Sequence, residues 1–375
     1  MTKQNTQYPQ RLDDILTTVN HKEPQRVPVM ANVGNWALAY AGVKVRDVYK
    51  DPALLAHSYT RFLDDIYFDA AFSMGISVPL DVVDILGSTA FFVSEDERTI
   101  QHQENAVMSA EDYPDLIRDP MGFMTDVLAV RKFAPLGQDR NKTSETLNRA
   151  LRALVNWRMC NAETTAYAEE HYGVVVMSGS AKLYAPLDLV FDRLRGFKDT
   201  LIDIRRNPGE LEAAVNALHP LYKKRALDAV NGAFPFAKST LHCPTYLGPK
   251  NFGRFFWPTY KDMLTAVHEK GCKTIAFLEG YWEQYYGFIN ELPKSGVLAL
   301  IEYDDLIEAK KRIGDTVTIM GGVPLNLLRF ASKQECIDYA KKIVDACAPG
   351  GGFIFTTDKA LISENDVNVE NLAAV

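Results

Sequence analysis

No CxxC pair occurs in the 375-residue chain, and its five cysteines stand apart at positions 160, 243, 272, 336 and 347. An odd, scattered set argues against a disulfide framework and for a reducing compartment, so a cytoplasmic protein is expected. No run of about 18 apolar residues is present, and none of the segments is expected to span a membrane. The first residues, Met1 to Gln10, are polar and lack the apolar core of a secretion signal. Basic residues are not in excess: 41 Lys and Arg face 48 Asp and Glu, a net charge of −7, so nucleic acid is not an expected partner. Linker-like stretches, repeats of fixed period and low-complexity tracts are also missing, which points to one domain over residues 1–375.

What is there is a 47% hydrophobic composition, enough for a large core, arranged as short apolar runs alternating with amphipathic segments. That alternation predicts repeated βα units around a parallel sheet. Strands are expected over Arg26 to Ala31, Ala70 to Ser73, Val82 to Leu86, Gly173 to Ser178, Ser239 to Cys243, Thr274 to Leu278, Val297 to Ile301, Thr316 to Met320 and Gly352 to Phe355. Thr89 to Val93 reads as a β excursion. Helices are expected after Asn207, with Pro208 in its first turn, and from Trp257 to Lys270, stopping at Gly271. Another runs from Ser332 to Cys347, where Glu335 completes a capping box. The length and the βα rhythm suit an α/β fold of the eight-stranded (β/α)8 barrel type with N-terminal helical and β additions. Pro349 and the three glycines 350 to 352 precede a strand rather than a helix, so they read as a turn and not as a phosphate cradle.

Barrel enzymes carry their chemistry just beyond the C-terminal ends of the strands. The residues there are Asn35 and Trp36, His242 and Cys243, Glu279 with the aromatic loop Tyr281, Trp282, Tyr285 and Tyr286, Glu302, and Asp358 with Lys359; Asp84 lies within the Val82–Leu86 run. Carboxylates at the ends of apolar strands are costly unless paired or metal-bound. Glu279 and Glu302 follow consecutive strands and His242 the strand before, a plausible zinc set with Cys243 as an alternative soft ligand. The plainer reading makes each Glu a helix cap or a salt-bridge partner. Because His242 and Cys243 are adjacent, a regular strand points them to opposite faces. The aromatic loop serves either to pack the barrel rim or to form a pocket in which Tyr281 or Tyr286 donates a proton.

Several segments carry a resemblance. Arg11, Leu12, Ile15 and Leu16 precede Pro24 to Val29; Val83 to Leu86 follows; Arg195 to Phe197 leads to Asn207 and Pro208; then come Pro258, the Gly321–Gly322–Val323 turn and the Gly352–Phe355 strand. In this order and spacing they resemble the uroporphyrinogen decarboxylase superfamily over nearly the whole chain, least so over Asn105 to Tyr167. The resemblance implies a TIM-like barrel. Within the superfamily the decarboxylase grips its polycarboxylate substrate with an arginine-rich loop after the first strand and has a histidine after the last. Here residues 31–39 contain no arginine, and Thr357, Asp358 and Lys359 stand where the histidine would be.

The corrinoid-dependent methyltransferases of the same superfamily are the better match. They hold zinc through a His-x-Cys and a late Cys; in this sequence Phe277 and Glu279 take the first two places, and Asp358 lies near the third. Carboxylates suit a thiol substrate poorly, so the resemblance implies a methoxylated aromatic ether as methyl donor. The acceptor it implies is the cobalt of a separate corrinoid protein, with zinc as the expected metal. Glu279, Tyr281 and Asp84 are the expected catalytic groups. Asn35, Trp36, Trp282, Tyr286 and His242 are expected to bind substrate, and Glu279, Glu302, His242 and Asp358 to hold the metal. Two rival readings are a lyase acting on a smaller acid, with Asp84 stabilising a developing cation, and a non-catalytic binding paralogue.

Overall fold

A computed structural model describes residues 6–177, 181–230 and 235–375. Eleven strands occur among the described residues: β1 (Met30–Ala31), β2 (Ala70–Ala71), β3 (Phe91–Val93), β4 (Ile100–His102), β5 (Val175–Val176), β6 (Ala181–Lys182), β7 (Phe236–Leu241), β8 (Lys273–Leu278), β9 (Val297–Ile301), β10 (Thr318–Val323) and β11 (Phe353–Thr357). β6 through β11 form one parallel sheet in sequence order, and β1, β2 and β5 form another. A parallel bridge from Val29 to Phe355 joins β1 to β11. β5 pairs with β2 and β6 with β7, so these two short strands, close in sequence, act as a single stave. The result is an eight-stave parallel α/β barrel of the TIM type. β3 and β4 form an antiparallel hairpin outside it.

Side-chain alternation then sorts each strand. On β7, Phe236 faces the barrel interior with Ile275, Leu298, Met320 and Ile354, while Ala237, Leu241 and Cys243 join the cluster beneath the surrounding helices. Helix Tyr8–Val19 closes the N-terminal end of the barrel: Ile15 and Val19 are fully buried in the interior cluster. Its last turn is tied to strand starts, since Gly352 N–H donates to Thr18 O at 3.1 Å and the Lys273 ammonium to Val19 O at 3.4 Å.

Most expected elements are present, shifted by a few residues. The capping box of Ser332 and Glu335 opens helix Lys333–Cys347. Asn207 does precede Pro208–Ala229, but its side-chain amide donates to Asp203 at 2.8 Å instead of capping. The glycine turn before β11 is confirmed; all three glycines have positive φ, and a Cβ on Gly351 would lie 2.2 Å from Lys22 O. Of the strand expected over Gly173 to Ser178, Ser178 lies outside the described residues. One assignment is corrected: Val82 to Leu86 is not a strand but most of helix Leu80–Ile85. Leu80 and Val83 are buried while Asp81 and Asp84 are not, a helical spacing that a short apolar run conceals.

Candidate active site

The interior-facing residues beyond the hydrophobic plug line the mouth. On β7 the alternation carries Lys238 and Thr240 towards the opening and ends at His242; on β8 it ends at Phe277 and Glu279, on β9 at Glu302, and on β11 at Asp358. Two cavities meet here. The larger, 810 Å³, is walled by Phe91, His102, Glu104, Phe191, Asp192, Arg193, Phe197, His242, Tyr246, Tyr281 and Tyr303. The smaller, 380 Å³, is bounded by Asn32, Phe277, Leu300, Leu325, Asp358 and Lys359. Glu279 and Glu302 border both, so the two are lobes of one mouth.

His242 is the centre of the charge arrangement. Its Nδ1 lies 2.8 Å from Asp192 Oδ2 and its Nε2 3.3 Å from Glu279 Oε1. Hydrogen bonds to Asp192 first and Glu279 second push its pKa up to about 11, so the ring is an imidazolium at neutral pH. Beneath it Asp188, 4% exposed, accepts from the N–H groups of His242 at 3.2 Å and Cys243 at 2.6 Å. Burial, with Asp192 nearby, raises the Asp188 carboxyl to about 8. Asp188 and Asp192 sit one turn apart where helix Pro186–Leu189 widens into a π-turn over Val190–Leu194. Such widened turns re-aim side chains and recur at functional sites. Lys238, largely buried below Phe277 with its ammonium 4.7 Å from that ring's centre, is lowered to about 8 by burial and by Lys182.

Glu302 is held differently. It accepts from Gly280 N–H at 2.5 Å and faces the Lys359 ammonium at 3.4 Å. Gly280 has φ +80°, and a Cβ there would lie 2.2 Å from Thr245 Oγ1, so both its conformation and the close approach require glycine. The Lys359 ammonium also donates to Tyr303 Oη at 2.8 Å, and Tyr303 in turn leans on Tyr281 with ring centres 5.3 Å apart. Asn32 projects from just beyond β1 into the smaller lobe, and its buried side-chain amide nitrogen has no hydrogen-bond partner among the described residues.

Of the ten residues expected to be catalytic, to bind substrate or to hold the metal, His242, Glu279, Tyr281, Glu302 and Asp358 are brought to the mouth. The other five are not. Asp84 lies on the surface of helix Leu80–Ile85, paired with the guanidinium of Arg46. Trp282 is 1% exposed: its indole N–H donates to Glu279 O at 3.0 Å and its backbone N–H to Asp304, so it anchors the loop from below. Tyr286 is buried too and donates to Asp304 at 2.8 Å, and this contact after burial drives its pKa far up. Trp36 packs into the outer core against Tyr40 and Phe62, and Asn35 is buried beside it; neither lines the mouth. The residue that loop contributes is Asn32, three positions earlier.

The expected zinc set does not fit. Both ring nitrogens of His242 face carboxylates, Glu302 is engaged by Gly280 and Lys359, and Asp358 accepts from Leu325 N–H at 3.0 Å. Among the described residues no group of three or more His, Cys, Asp or Glu side chains is arranged to hold a metal ion. Cys243 points away into the helix layer, as the alternation requires, and burial raises its thiol well above the usual range.

Sequence reasoning missed Asp192, Arg193, His102 and Asp188. The signal available for two of them was the pair of aspartates four apart, Asp188 and Asp192, in the otherwise apolar run Pro186 to Asp192.

With the barrel and its mouth described, the family model for uroporphyrinogen decarboxylase (URO-D) matches residues 164–374, more than half of the chain. The chain belongs to the uroporphyrinogen decarboxylase family. Among solved structures this family member is similar to a methyltransferase from Methanosarcina mazei, with TM-score 0.62 and 12% identity over 96% of this chain and 95% of that one. At that identity the likeness is one of fold. A B12-independent methionine synthase from Shewanella shares 13% identity over 52% of this chain and 59% of that one, with TM-score 0.36. No curated protein matches the chain. No helix among the described residues is long and apolar enough to cross a membrane.

Proposed function

We propose that this chain is a methyltransferase that takes the methyl group of a methoxylated aromatic ether and delivers it to the cobalt of a corrinoid carried by a separate protein. One observation carries the reading: a single imidazolium, His242, is fixed at the open mouth of the barrel between two carboxylates. Cleaving an aryl methyl ether leaves negative charge on the phenolic oxygen, and a preorganised N–H aimed at that oxygen stabilises it as it forms. Asp192 holds Nδ1–H, fixing the ring's orientation; Nε2–H is the group presented to the oxygen once the half-exposed Glu279 swings aside. The aromatic walls Phe91, Phe191, Tyr246 and Tyr281 suit an arene, and the 810 Å³ lobe has room for it. The corrinoid supplies the nucleophilic cobalt; the mouth leaves the methyl carbon open to it. No step runs through zinc.

The test is methyl transfer from a panel of methoxyarenes, 2-methoxyphenol first, to cobalamin reduced to the Co(I) state, read by methylcobalamin formation. The expected result is transfer by the wild type and a loss of about 10²- to 10⁴-fold in His242→Gln with little change in substrate affinity. No transfer with any methoxyarene sinks the reading, and carbon dioxide release from small aromatic acids without cobalamin replaces it with a lyase.

A further inference from the structure

Beside the barrel, behind the hairpin β3–β4, lies a cavity of 440 Å³ that the methyl-transfer reading does not use. It is an open cleft bordered by helix Leu80–Ile85, the segment Phe123–Lys132, the widened turn Val190–Leu194 and helix Pro208–Ala229. Its walls are mainly apolar, with Val83, Leu86, Leu128, Leu189 and Leu194 among them. Three cations also line it, Lys132, Arg193 and Arg225, and no Asp or Glu does. Among the described residues none of the three is ion-paired. That is the reverse of the mouth, where His242 and Lys359 each face carboxylates.

A second observation is independent of the charge count. Tyr222 is 9% exposed, and its hydroxyl at the cavity wall donates to Met124 Sδ at 3.8 Å, a poor acceptor. A buried hydroxyl ordinarily finds an oxygen or nitrogen acceptor. Arg225 and Arg193 both bear electrostatically on this hydroxyl, opposing the upward shift that burial gives it. The Lys132 ammonium is held below its ordinary value by burial and by Arg193. Lys132 is partly buried while Arg193 and Arg225 reach solvent; an anion beside the three gains charge-assisted donors and supplies the oxygen acceptor that the Tyr222 hydroxyl lacks.

We propose that this cavity is a binding site for an apolar molecule bearing one anionic head, a carboxylate or a phosphate monoester. The body lies against the leucine and valine wall; the head takes up Lys132, Arg193 and Arg225 and accepts from the Tyr222 hydroxyl. Arg193 and Phe91 also border the mouth, so occupancy bears on the wall that the two cavities share.

Calorimetric titration of the full chain with octanoate, octyl phosphate and octanamide tests this. At least one of the anions is expected to bind tenfold or more tighter than the amide, about what a charge-assisted hydrogen bond is worth. The stronger of the two names the head. Arg225→Gln and Lys132→Met, both at positions that are not fully buried, are each expected to weaken that anion about tenfold, while Glu279→Gln at the mouth leaves it unchanged. Equal binding of amide and anions, wild-type affinity in both cation variants, or loss of binding in Glu279→Gln overturns the proposal.

Discussion

The two halves of the barrel are held together by different means. From β7 to β11 the ladders run three to six rows: β7 and β8 pair through all six from Phe236–Lys273 to Leu241–Leu278, and β9 and β10 through three. In the first half, β1–β2 and β2–β5 each pair over only two rows. Buried charge makes up the difference there. Asp69, 2% exposed, sits at the head of β2; its carboxylate accepts from Val29 N–H at 2.9 Å and faces Arg11 at 3.4 Å as well as Arg26. Its backbone binds Val29 on one side and Val175 on the other. A second buried pair, Arg195 Nε to Asp203 Oδ2 at 2.7 Å with the Tyr113 hydroxyl on the same oxygen, fastens the added helices to the barrel's flank. Where a ladder is long the apolar pattern sets register; where it is two rows deep a few polar side chains do.

The largest effect that would break this contrast is at Asp69. Asp69→Ala leaves Arg11 buried without its counter-charge and is expected to cost about 3–5 kcal/mol in denaturant unfolding. A loss under about 1 kcal/mol would mean the first half does not depend on that charge. Its counterpart in the laddered half is Leu298→Ala, where truncation of a fully buried interior residue should cost roughly 2–5 kcal/mol. Next is pH. Burial raises the Asp203 carboxyl, but Arg195, Tyr113 and Asn207 outweigh it and hold it below the ordinary range. Its contribution is therefore full above about pH 4 and lost as pH falls through the folded value. Asp203→Asn should flatten acid unfolding of the wild type; an unchanged acid limb would count against the pair.

His242 has the opposite sign. Its folded pKa of about 11 lies above the unfolded value, so its stabilisation is complete below about pH 6.5 and gone once pH passes the folded value. The melting-temperature gap between wild type and His242→Gln should narrow steadily over that window; a constant gap would mean the ring is not charged. The smallest effect is expected at Asp84. Its exposed pair with Arg46 should be worth less than about 1 kcal/mol, and Asp84→Ala should leave methyl transfer intact.

The same contrast explains what was legible in the sequence. Val297 to Ile301, buried at every residue, could be read as a strand, and the alternation that ends β7, β8 and β9 at His242, Glu279 and Glu302 put those three on one opening. β1 ends at Ala31 as expected, but the two-residue strands of the first half leave almost no periodic signal of which following side chain enters the barrel, so the sequence points to Asn35 and Trp36 and not to Asn32. Val82 to Leu86 was misread because five residues cannot separate a helical spacing from a strand when the flanking Pro79 is overlooked. Asp192, Arg193 and His102 reach the mouth from a helix turn and a hairpin; nothing in their sequence neighbourhood says which strand ends they will face.

Helix Tyr8–Val19 has a consequence for how the chain is made. It leaves the ribosome before any stave, yet Ile15 and Val19 pack with Ile275, Leu298, Met320 and Ile354, which emerge last. At ordinary synthesis rates the plug waits on the order of 20–70 s for the last of these, with only earlier members of the same cluster, among them Met30, Phe72 and Val175, available to it meanwhile. Closure of the barrel is thus a late, long-range event, and nascent chains truncated before β11 should be the aggregation-prone species.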